Sequence, residues 1–355
     1  MSWQVFTFGE AMLRLAAAPG YRLEQSQQLA VYVAGSELNV ACLLARLGVS
    51  CAWASSLPDS MLGRIVTNTA RSHGVDASAV NWLDARLGLL FTENGQPPRP
   101  TQVIYDRAHS AASQMCAADR DWQTLIAASD IVHLTGITPA LSQGCAELCE
   151  TVLQHAKGAG KLVSFDPNYR AKLWTVAAAR AYFERLMPYV DIVSVSERDA
   201  RVLFDSEGTW LDVAIEEVAL ALKTRYDLQS ILVTASEASR HRYGYANALA
   251  WSDGQVYHGP AFEVEVVDRI GAGDSSAAGL LYGVLQADAA VAAHTSAALS
   301  ALALTNHGDI NWASAADVTA LLGNLEQLGQ AHAGQKQAGQ RGQGGQRGQE
   351  SDIQR

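Results

Sequence analysis

Apolar positions along the chain follow two rhythms that take turns. Residues 3–9 (Trp-Gln-Val-Phe-Thr-Phe-Gly) alternate as a strand does, and Glu10 follows as its exit. Residues 36–48 switch to helical spacing, with Ser36 in the cap position and Gly48 as the stop. From about residue 129 strand and helix patterns alternate: strand 130–134, helix 142–158, strand 162–165, helix 177–187, strand 192–195, helix 212–225 and strand 231–234. Such alternation with short connections predicts a mostly parallel α/β sheet covered on both faces. Two β-rich stretches fall outside it, within residues 11–34 and 87–112, interrupted by Pro19-Gly20 and by Asn94 to Pro98. They are expected to pair as a separate small sheet.

In a sheet of this kind ligands bind beyond the C-terminal strand ends. Gly136, Asp166, Ser196, Thr234 and Asp268 all fall there. The last of these opens the most informative stretch, in which a strand over 262–267 leads to a tight turn at Gly271-Ala272-Gly273 and then to a buried helix from Asp274 to Leu285. Glycines let the backbone approach a ligand, and the unpaired N–H groups of a helix's first turn suit an anion such as phosphate. Asp274 beside that site has the position of a base. The plainer reading of the same residues is an Asp N-cap after two glycines.

Composition narrows the partners. A formal charge of -10 and a pI near 5.4 leave no basic surface for nucleic acid or an anionic membrane, so phosphate has to be handled locally. The five cysteines are odd in number and contain no CxxC, and Cys145 and Cys149, a helical turn apart, read as small core residues. The histidines show no metal-ligand spacing. Glu10 and Arg14 interrupt what would be the apolar run of a leader, and the Ala, Ser and Thr of residues 289–305 read as a packed helix, so a cytoplasmic protein is expected. After Gln327 the chain turns to Gln and Gly, which leaves 1–328 as one domain and 329–355 as an expected disordered tail.

Several motifs together carry a family resemblance that spans roughly residues 5–315. The string Asp268-Arg269-Ile270-Gly271-Ala272-Gly273-Asp274, completed by Gly279, resembles the signature of the ribokinase-like (PfkB) carbohydrate kinases. Ala34-Gly35-Ser36-Glu37-Leu38-Asn39 resembles their Gly-Gly-x-x-x-Asn, with Ala34 in place of the first glycine. Asp166-Pro167-Asn168-Tyr169-Arg170 is similar to their Asp-x-Asn-x-Arg, and Ser196-Glu197-Arg198-Asp199 to their Asn-x-x-Glu with both end residues exchanged for other oxygen-bearing ones. Within that family, residues 103–113 and 134–141 resemble the 2-keto-3-deoxygluconate kinases, although Leu90 stands where other members place a tyrosine.

The resemblance implies a ribokinase-like fold whose small sheet is a lid over a sugar. It implies that Asp274 is the catalytic base and that the amides of Gly271, Ala272 and Gly273 hold the charge building on phosphate. Gly35, Ser36, Asn39, Tyr105, Arg107, Ile137, Arg170 and Asp274 would bind the sugar acid, with Arg107 on its carboxylate. ATP would meet Asn168, Arg170, Ser196, Thr234, Ser236, Ser239, Gly271 and Gly273. Magnesium would be held through water by Asp199, and the helix from Ala289 with the turn Asn306–Asp309 would complete the adenine side and a potassium site. The reaction expected is phosphorylation of 2-keto-3-deoxygluconate by ATP, by a homo-oligomer. A neutral ketose such as fructose is the alternative substrate, and a non-catalytic sugar-binding protein is an alternative of another class.

Overall fold

The computed structural model describes residues 2–95, 98–238 and 243–323; Ser239 and the stretch 329–355 lie outside the described residues. Residues 1–313 make one compact unit, and a second begins at Ser314, where residues 315–323 are helical.

The main sheet of the first unit runs, in spatial order, Val256–Tyr257, Tyr243–Ala250, Ser230–Ala238, Ile192–Ser196, Leu162–Asp166, Ser129–Thr135, Trp3–Phe8 and Cys51–Ala54, with Phe262–Val264 also pairing onto Tyr243–Ala250. The strands from Ser230–Ala238 through to Cys51–Ala54 are mutually parallel. Tyr243–Ala250 and the two strands beside it are antiparallel. Parallel strands need crossovers, and the alternating pattern supplies them as helices Gln143–Gly158, Val176–Leu186, Glu197–Phe204 and Ile215–Tyr226. Their apolar faces bury Leu148, Val152, Phe183, Leu203 and Leu222 against Val132, Val163, Phe165, Val193 and Ile231 of the sheet. Cys145 and Cys149 are buried in that layer, as their spacing predicted.

The two β-rich stretches form the expected small sheet, in the order Ala30–Ala34, Met12–Ala16, Gly88–Glu93, Gln102–Asp106.

Four local expectations are corrected. The last strand stops at Val264, and the helix begins at Ala272, so Asp274 lies in its first turn and Gly271 is the cap. Gly271 has φ +88, and a Cβ there would sit 2.3 Å from the carbonyl oxygen of Asp309, so both conformation and contact demand glycine. Ser36 does not cap its helix: the helix Ser36–Arg46 is entered from Gly35 with no side-chain cap bond, which frees the hydroxyl for other work. Of residues 234–239, which by resemblance stand where the family has its nucleotide loop, Thr234 to Ala238 continue the strand Ser230–Ala238, held there by antiparallel pairing with Tyr243–Ala250. Helix Ala272–Leu285 packs along Ala289–Ala303 so closely that a Cβ on Gly283 would lie 2.3 Å from Ala292 backbone. Small residues on both faces of contact permit that approach and fix the helix that carries Asp274.

Candidate active site

A cavity of about 350 Å³ opens between the small sheet and the C-terminal ends of the parallel strands. All eight residues assigned to the sugar, Gly35, Ser36, Asn39, Tyr105, Arg107, Ile137, Arg170 and Asp274, line it, together with Asn168, Gly271 and Gly273. They come from five separate parts of the chain.

Asp274 is the hub. Ser36 donates its hydroxyl to one carboxylate oxygen at 2.5 Å, and the Asn39 amide donates to the other at 2.7 Å. Asn168, held at φ +39, donates in turn to the Ser36 oxygen at 2.8 Å. Ser36 and Asn39 are three residues apart on one helix, so they present side by side to the first turn of the other. Burial pushes the Asp274 pKa up, and the donors Ser36 and Asn39 and the nearby Arg170 guanidinium hold it back. A carboxylate fixed in orientation and raised in basicity is what a general base requires. Asn39 is buried, with its side-chain amide committed to the Asp274 carboxylate.

Around Asp274 stand further carboxylates. Burial, then Asp274, then Asp199 raise the Asp166 carboxyl to about 8. Burial also raises Asp199, which accepts the Tyr169 amide at 3.3 Å, and Ser196 caps the helix carrying Asp199 by accepting that residue's amide at 3.1 Å. No group of three His, Cys, Asp or Glu side chains among the described residues is spaced to hold a metal directly. Hard oxygens that crowd one another's charge nonetheless suit a divalent cation reached through water and phosphate oxygens. Thr234 is the register partner of Ser196, whereas Ser236 is exposed farther along the strand; neither borders the cavity.

Three charged groups at the site were not assigned from sequence. Glu10 is buried and paired with Arg107, whose guanidinium also lies 5.2 Å over the Tyr105 ring. Asp106, the next residue in the chain, pairs instead with Arg86. Glu37, fully buried, accepts from the Thr135 amide and hydroxyl and the Thr138 hydroxyl, and burial raises it to about 7. It ties the strand end before Ile137 to the helix of Ser36. Arg14, on the small sheet, reaches Asp268 at 2.5 Å and Asp309 at 3.0 Å beneath the Gly271 turn. A charged residue in the otherwise apolar strand Met12–Ala16 was the available signal for it.

Residues 3–316 match the pfkB family carbohydrate kinases. The chain belongs to that family. It is 39% identical over 312 residues to 2-dehydro-3-deoxygalactonokinase of Haloferax volcanii, covering 87% of this chain and 93% of that protein. It is 31% identical to 2-dehydro-3-deoxygluconokinase of Thermoproteus tenax, over 76% of this chain and 78% of that one. The crystal structure of 2-dehydro-3-deoxygluconokinase from Thermotoga maritima superposes with a TM-score of 0.86 at 33% identity, over 90% of this chain and 99% of that one. The fold is thus the ribokinase-like one, with its mostly parallel sheet and small second sheet, as the pfkB motifs implied. Among the described residues no helix is long and apolar enough to cross a membrane.

Proposed function

We propose that this pfkB kinase transfers the γ-phosphoryl group of ATP to the terminal hydroxyl of a 2-keto-3-deoxy sugar acid, giving from 2-keto-3-deoxygluconate its 6-phosphate. The observation that carries the reading is a carboxylate, Asp274, held by two donors at the mouth of a helix N-terminus, in a cavity also lined by three arginines, Arg107, Arg170 and Arg269. Asp274 takes the hydroxyl proton as the bond to phosphorus forms, and the first-turn amides at Gly271 to Gly273 face the charge that develops on the transferred group. Arg170, half-buried beside Asp166, Asp199 and Asp274, is placed to meet phosphate. Arg107 is placed to meet the substrate carboxylate with donors that Glu10 leaves over, since a guanidinium has five. Asp199 and Asp166 would hold magnesium through water, and the bound ion would supply positive charge to the phosphate oxygens. The named relatives act on the gluco and the galacto acid, which differ in configuration at one carbon, and both belong to the proposal.

Glu10 favours a second reading. By neutralising Arg107 it weakens the case for an anionic substrate, and a neutral ketose such as fructose becomes the competitor. ADP release measured with 2-keto-3-deoxygluconate, 2-keto-3-deoxygalactonate and fructose separates them: the acids are expected to exceed fructose at least a hundredfold in kcat/KM. Equal rates with fructose would put the ketose reading first.

We also propose a cytoplasmic homo-oligomer. Its five cysteines are unpaired, and Val31 and Ile104 project, more than half exposed, from the small sheet. Light scattering tests the assembly.

A further inference from the structure

The wall of the cavity on the small-sheet side differs from the rest. Met12, Ala34 and Leu90 are 6%, 4% and 5% exposed and form an apolar cluster joined by Val103 and the ring of Tyr105, and all five line the cavity with Asp274. Strand register sets this: Met12 stands directly across from Ala34, and Leu90 directly across from Tyr105. The opposite wall carries Ser36, Asn39, Asn168, Arg170 and Asp274, all polar. An acid with its carboxylate at Arg107 and its terminal hydroxyl at Asp274 has to run its middle carbons beneath the apolar wall.

A hydroxyl pressed onto that wall gives up its hydrogen bonds to water and finds no partner, whereas a methylene gives up nothing. In a 2-keto-3-deoxy acid the one chain carbon with neither oxygen nor charge is C3, two bonds from the carboxylate. We propose that Met12, Ala34 and Leu90 select the substrate by the missing C3 hydroxyl, so that the enzyme rejects 3-hydroxy acids of the same length. This rests on the sugar-acid reading above. An apolar wall discriminates against an added hydroxyl by about a hundredfold.

The test compares kcat/KM for 2-keto-3-deoxygluconate with that for 2-ketogluconate, which carries the C3 hydroxyl, in the wild type, Leu90→Asn and Met12→Gln. Met12→Gln nearly conserves volume, so it decides the matter if Leu90→Asn fails to fold. The wild type is expected to prefer the deoxy acid about a hundredfold, and each folded variant to cut that ratio at least tenfold, mainly through a lower KM for the hydroxy acid. A wild-type ratio below threefold overturns the proposal and leaves the sugar-acid reading standing, as does a ratio that neither polar variant moves. Phosphorylation of fructose with no activity on either acid overturns both.

Discussion

Replacing Arg14 by methionine tests how the small sheet is fastened to the catalytic turn. The guanidinium is 1% exposed and bridges two carboxylates that are themselves 2% and 3% exposed, Asp268 and Asp309. Methionine keeps the aliphatic stem and deletes the charge, which strands two buried carboxylates. Breaking a buried pair by removing one partner costs about 3–5 kcal/mol. The loss depends on pH with a definite sign. Burial raises Asp309 to about 7, with Arg14 opposing and Asp268 adding to that rise. A carboxyl whose folded pKa exceeds its unfolded value binds a proton on folding, so its penalty grows as pH rises from near 4 and is complete above the folded pKa. Without Arg14 the folded pKa climbs further, and the variant should lose stability more steeply than the wild type between pH 6 and pH 9. Urea midpoints at the two pH values measure this. A loss below about 1 kcal/mol, or one equal at pH 6 and pH 9, would refute the account of Arg14 as the buried counter-charge. Turnover should fall as well, because the Asp309 backbone packs on Gly271.

Asp274→Asn should fold as the wild type does and lose about two to four orders of magnitude in kcat, the range for a general base; near-normal turnover removes Asp274 from the mechanism. Ser36→Ala deletes a hydrogen bond that lowers the Asp274 pKa, so the acid limb of the pH–rate profile should move to higher pH; an unmoved limb would show that Asp274 does not set it. Arg107→Leu alone strands the buried Glu10, so the substrate role is read from the Arg107→Leu/Glu10→Leu double variant, which should raise KM for the acid far more than for fructose. At the Asn306–Asp309 turn a guanidinium already supplies the positive charge. Turnover in potassium chloride and in choline chloride should therefore agree within a factor of two, and a large drop in choline would establish a potassium site.

The sequence by itself determined the α/β alternation, the small sheet, and the motifs that meet at Asp274, because each is written in local periodicity or in spacing along one segment. The family resemblance, not any local pattern, put Gly35, Ser36, Asn39, Tyr105, Arg107, Ile137 and Arg170 in one set, and the fold gathers them around one cavity. What Ser36 does was not legible: its position reads as a cap, and only the approach of helix Ala272–Leu285 turns its hydroxyl into a donor to a carboxylate 238 residues away. Glu10, Glu37 and Arg14 were missed for the same reason. A buried charge is tolerated only where a partner comes from elsewhere in the chain, and no local pattern records that partner. Nor could the alternation show that residues 234–238 keep their strand, since pairing with Tyr243–Ala250 decides it. Local order follows from side-chain rhythm; the partners of buried polar groups follow from which segments the tertiary fold brings within hydrogen-bond reach.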